Sequence, residues 1–127
     1  LGEVLTIKLI EQLREEESGV YGVVARGNYN KVPYPNVSFS ISFPCGPENV
    51  DKLVKSALAE VEKIKTEGVS EKDLAKVKET YLVAYKEDSK TNNFWLDAMV
   101  KAERNGSDPA EVLKYTEAVK AITPEEV

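Results

Sequence analysis

Apolar residues recur at three- to four-residue spacing through Val4, Leu5, Leu9 (or Ile10) and Leu13, which predicts a helix over residues 2–17. Ile7 widens the stripe, so this helix is expected to be covered on more than one side. Ser18-Gly19 ends it, with Gly19 just past the C-cap. Three acids, Glu15 to Glu17, then sit where the helix dipole disfavours them, on a solvated face or in a network with Arg14. A Val-rich run between Gly19 and Gly27 predicts a strand over 20–27, and Pro33 and Pro35 mark 28–36 as a loop. Residues 37–43 alternate strictly: Val37, Phe39, Ile41 and Phe43 on one face, Ser38, Ser40 and Ser42 on the other. One face is expected to pack on a core. The small serine face meets solvent or a chain lying against it.

The remainder reads as helical. Pro47 suits a first helical position, and Val50, Leu53, Val54, Ala57, Leu58, Val61 and Ile64 form a stripe that Gly68 ends. Ser70 is an N-cap candidate with Asp73 three residues on, opening a helix with Leu74, Val77, Tyr81, Ala84 and Tyr85 on one face. Thr91 caps a further helix bearing Phe94, Trp95, Ala98, Met99 and Ala102, which Asn105-Gly106 closes. Ser107-Asp108-Pro109 starts another, with Val112, Leu113, Thr116 and Val119 inward, and Thr123-Pro124 starts one more. This order predicts an α+β fold: helices packed on one face of a small antiparallel or mixed sheet. Two strands rarely make a stable sheet alone. The expectation is therefore a single partial domain over 1–127 that lacks flanking strands, a piece of something larger.

Composition narrows the function. With 42% hydrophobic and 31% charged residues over 127 positions, the chain has the make-up of a globular domain rather than a disordered one. A net charge of -5 and the lack of a basic stripe argue against a nucleic-acid partner, and no run is apolar enough to insert in a membrane. There is no His, hence no imidazole base and no His-bound metal, and the single Cys, Cys45, is read as a small apolar side chain. The carboxylate pairs Glu16/Glu17, Glu60/Glu62 and Glu125/Glu126 lack the nitrogen or sulfur ligands that zinc prefers. Phosphate-cradling glycine runs and a nucleophile elbow are absent. Phe94, Trp95, Tyr81 and Tyr85 stand at helical spacing, as in helix–helix packing. By itself this chain is a poor candidate for an enzyme.

Arg14 and Tyr21 remain, seven residues apart across the junction of the first helix and the first strand. An arginine offers a planar fork of donors to a carboxylate or main-chain carbonyl, and a tyrosine a rigid hydroxyl. Spacing alone leaves two readings open, a binding pair or a structural helix end.

The whole stretch Leu13-Arg14-Glu15-Glu16-Glu17-Ser18-Gly19-Val20-Tyr21 resembles the helix-to-strand junction in the C-terminal, non-zinc half of insulinase/pitrilysin-type zinc peptidases, the inverzincins. Gly46-Pro47-Glu48-Asn49-Val50 and Glu67-Gly68-Val69-Ser70-Glu71-Lys72-Asp73-Leu74 are similar to the same family. Lys90-Thr91-Asn92-Asn93-Phe94-Trp95-Leu96 resembles its bacterial, envelope-located branch, and Ala121-Ile122-Thr123-Pro124-Glu125-Glu126-Val127 the start of its closing helix. The stretches come in the family's order and cover nearly the whole chain. The glycine of the turn sits at Gly19, where relatives often place it one residue earlier.

The resemblance implies a LuxS/processing-peptidase-like metallohydrolase fold in two lobes that close around a chamber. It implies no cofactor in this chain and a zinc in the catalytic half of the parent. By analogy Arg14 binds a main-chain carbonyl of a peptide substrate, and Tyr21 donates to the oxyanion of the tetrahedral intermediate. The implied partners are that peptide and the zinc-bearing lobe of the same parent chain. A periplasmic or envelope location is favoured over the cytoplasm. The fragment alone should hold no zinc and cleave nothing, and unpaired sheet edges should allow edge-to-edge self-association. The other reading open at this point is an inactive structural or interaction lobe, like the partner subunits of processing peptidases or the core subunits of respiratory complexes. An H-x-x-E-H upstream in the parent chain separates the two.

Overall fold

The computed structural model describes residues 1–16 and 20–127, and the side chains of all of these except Glu15 and Glu16. The first apolar stripe winds as α1, Gly2–Leu9, and continues in wider π-type winding over Ile10–Glu16. Leu5, Leu9 and Leu13, four residues apart, are buried together with Val4. The expected turn at Ser18-Gly19 and the side chains of Glu15 to Glu17 lie outside the described residues.

Strand β1 runs Val24–Asn30, later than the 20–27 expected, and β2 runs Asn36–Ser42. They pair antiparallel, with Val24 opposite Ser42 and Asn30 opposite Asn36, so the loop shortens to residues 31–35. Val20 and Val23 lie outside the ladder, in irregular backbone, and are buried in the core. β2 meets the core only at one end. Ile41 and the following Phe43 pack on it, while Phe39 is 44% and Val37 75% exposed, because the hairpin projects past the helices that could cover them. The serines all face solvent.

α1 docks on β1 at close range. A Cβ added at Gly2 would come within 2.9 Å of the Ala25 carbonyl oxygen, so only glycine allows this approach. The Ala25 N–H donates to Thr6 Oγ1 (2.9 Å), whose hydroxyl donates to the Gly2 carbonyl (2.9 Å). A buried strand N–H thereby finds a helix hydroxyl as its partner.

Helix α2, Val50–Glu67, follows a short 3₁₀ turn at Pro47–Asn49. Leu53 and Ala57 are buried and Val61 and Ile64 pack beside them, but Val50, Val54 and Leu58 are exposed, since the stripe is wider than the surface α1 offers. Gly68 ends it at φ +77. α3, Glu71–Asp88, is capped by Ser70, whose hydroxyl accepts from the Asp73 N–H (3.1 Å). α4, Asn92–Asn105, is capped by Thr91 and closed by Gly106 at φ +63. The next segment is not one helix: Pro109–Lys114 is 3₁₀, capped by Asp108, and α5 covers Tyr115–Ala121. Val119 is buried as expected, whereas Leu113 lies on the open side of the 3₁₀ turn. Thr123 and Glu126 form a capping box around the 3₁₀ turn Pro124–Glu126.

One cluster organises the α+β arrangement: Leu5, Leu9, Leu13, Val20, Val23, Ala25, Leu53 and Ala57. A cross-link ties α1 to α3. Lys8 Nζ lies 2.9 Å from Asp73 Oδ2, which also accepts from Ser70 Oγ at 2.7 Å. Hydrogen bonding from Ser70 and then Lys8 holds the Asp73 carboxyl below its usual range, and Asp73 in turn raises Lys8.

Candidate functional site

Arg14 and Tyr21 are each preceded by a core residue. Leu13 is fully buried and Val20 is 8% exposed, and both belong to the same apolar cluster. Arg14 lies in the last turn of the π-type segment and is exposed; Tyr21 is 95% exposed. The core thus grips the backbone immediately before each of the two side chains and leaves both pointing outward. Among the described residues, neither spends its donors on a hydrogen bond or an ion pair. A guanidinium and a phenol kept in water cost nothing to leave unpaired and stay available to a ligand.

Among the described residues no group of three or more His, Cys, Asp or Glu could hold an ion. Glu60 and Glu62 reach Lys63 and Lys65 rather than each other. The described residues offer no donor set that fits zinc. No helix among the described residues is long and apolar enough to cross a membrane.

The model of the peptidase M16 inactive domain matches residues 1–81, which include the Leu13–Tyr21 junction. The chain belongs to that family. A protein of Arabidopsis thaliana named "Zinc protease PQQL-like" is 31% identical over 106 residues, covering 80% of this chain and 11% of the relative. Among solved structures, the periplasmic protease PqqL from Escherichia coli superposes with a TM-score of 0.76 at 23% identity, over 97% of this chain and 14% of that one. A peptidase M16 inactive domain from Pseudomonas fluorescens gives 0.77 at 15% identity, over 94% and 27%. The chain therefore spans less than a third of the length of each of these relatives. The α+β fold expected from the sequence is the one these M16 inactive domains share, and zinc proteases stand among its relatives.

Of the aromatics at helical spacing, Tyr85, Phe94 and Trp95 pack on one another, whereas Tyr81 is 41% exposed. Phe94 meets Tyr85 edge-on with centroids 5.5 Å apart, Trp95 meets Phe94 edge-on at 5.2 Å, and the Trp95 N–H donates to the Ser89 carbonyl (2.8 Å). Two features went unforeseen. Tyr115, thirty residues along, stacks on Tyr85 at 5.0 Å. Together these helices also border a half-open cavity of about 700 Å³. The signal in the chain is the interleaving of aspartates with the aromatics, at Asp88 and Asp97, but only the folded helices bring them to one place.

Proposed function

We propose that this M16 inactive domain is the substrate-binding, metal-free half of a zinc endopeptidase. In this reading Arg14 holds a main-chain carbonyl of an extended peptide. Tyr21 donates its hydroxyl to the oxyanion that forms when the scissile carbonyl is attacked, a donor aimed at developing charge. The zinc and the attacking water belong to a catalytic lobe of the same parent chain, and these 127 residues form a partial domain whose sheet is completed by further strands. The observation that carries the reading is the anchoring of Arg14 and Tyr21 by Leu13 and Val20, with both polar groups left unspent. A purely structural lobe gains nothing from holding a bare arginine and a bare phenol in water. The periplasmic setting of the Escherichia coli relative supports an envelope location.

The test is kinetic, in the full-length parent. Tyr21→Phe is expected to lower kcat by about 10- to 1000-fold with little change in KM, as for removal of one oxyanion donor. Arg14→Lys keeps the charge but loses the fork, and is expected to raise KM. An unchanged kcat for Tyr21→Phe overturns the assignment and leaves the scaffold reading.

A further inference from the structure

The cavity between α3, α4, the 3₁₀ turn and α5 has a composition that selects a ligand. Tyr85, Phe94 and Tyr115 line it as one aromatic cluster: Tyr85 and Tyr115 stack on each other at 5.0 Å and Phe94 meets Tyr85 edge-on, so the cluster offers the cavity its outer ring surfaces. Asp88, Asp97 and Glu111 line the same space and make no ion pair or side-chain hydrogen bond among the described residues. A fourth acid, Asp108, is spent on the Ala110 N–H at 2.8 Å. Lys101 is the one cationic side chain of the lining. Three unspent carboxylates against one ammonium leave the cavity negative. Flat aromatic faces beside carboxylates attract a planar, weakly hydrated cation, which can stack and donate at once. Size agrees, since about 700 Å³ lies within the range of ordinary ligand sites.

We infer that this cavity receives the arginine side chain of an extended peptide, and so forms a second peptide-holding site whose lining includes neither Arg14 nor Tyr21. The ligand class rests on the reading of this domain as one that handles peptides. The guanidinium enters against the Tyr85 and Tyr115 rings, its N–H groups facing Asp97 and Glu111. The peptide backbone stays outside. For a parent peptidase the consequence is a preference for basic residues at a distance from the cut.

The chain carries its own reporter. Its single tryptophan, Trp95, abuts Phe94 on the cavity wall. A blocked Gly-Gly-Arg-Gly-Gly peptide and the same peptide with uncharged citrulline are titrated into this chain, reading Trp95 fluorescence. The arginine peptide is expected to bind about 10-fold more tightly, and that advantage to fade at high salt. Asp97→Asn together with Glu111→Gln should abolish the difference, with circular dichroism confirming that the variant folds. Equal affinity for the two peptides, or no response to either at millimolar concentration, overturns the inference on the unmodified chain alone, whatever the variant does. No zinc and no turnover enter this measurement, so it can fail while the kinetic test of Tyr21 succeeds, and the reverse.

Discussion

Asp73→Asn tests the link between α1, which leads to Arg14, and α3. The carboxylate is 5% exposed and accepts from Lys8 Nζ at 2.9 Å and Ser70 Oγ at 2.7 Å, with Lys76 at 3.8 Å. Asparagine keeps the size but loses the charge, and turns a donor toward Lys8 or Ser70. A hydrogen bond to a charged group contributes about 1.5–3 kcal/mol. The lower end applies because Lys8 is 33% exposed and water screens the pair. With about 2 kcal/mol lost and a urea slope near 2 kcal/mol/M, the midpoint should fall by about 1 M at pH 7. The pH dependence fixes the cause. Asp73 is lowered in the folded state, so its contribution is full above the unfolded-state value and is lost as pH falls through the folded one. Lys8 is raised, so its share is present below its unfolded value and is lost as pH climbs through the folded one. The gap between parent and variant should therefore be full from about pH 5 to about pH 10, close as acid protonates Asp73, and narrow in strong base only by the share of Lys8, since Ser70 still donates to the carboxylate. An unchanged midpoint at pH 7 refutes the ion-pair argument. A gap that persists undiminished in strong acid shows that shape rather than charge was lost.

Two further outcomes are expected. Thr6→Val strips the Ala25 N–H of its acceptor in a nearly sealed position and should cost about 1–3 kcal/mol in chemical denaturation, with Thr6→Ser recovering most of it; a valine variant as stable as the parent refutes the role of the hydroxyl. The isolated chain should self-associate through the open edge of β2, helped by exposed Val37 and Phe39, and Val37→Lys should shift it toward monomer in sedimentation equilibrium; a clean monomer at about millimolar concentration for the unmodified chain counts against this.

Local signals in the sequence translated directly into structure. Ser70, Thr91, Gly106 and Thr123 cap or close helices where their chemistry indicates, because a cap needs only its own neighbours. The misplacement of β1 is a tertiary effect. Val20 and Val23 have strand composition but are taken by the core, while Asn28 and Asn30 have poor strand propensity and are held in the ladder by Ser38 and Asn36 opposite. Periodicity likewise could not limit the stripe of α2, since it states which residues share a face but not how much of that face a neighbour covers. At the candidate site the sequence names Arg14 and Tyr21 as candidates but not the burial of Leu13 and Val20 beside them, because burial of two residues in one cluster is a property of the fold.

The bond between Thr6 and Ala25 has a consequence for how anything can be added to this sheet. Ala25 turns its N–H to the Thr6 hydroxyl, and its carbonyl lies against Gly2, so both ladder groups at that point on the outer side of β1 are already taken. An incoming strand cannot pair with Ala25 without displacing Thr6. Among the described residues the outer edge of β2 carries no such cover. The helix that leads to Arg14 thus also covers one end of the sheet's edge.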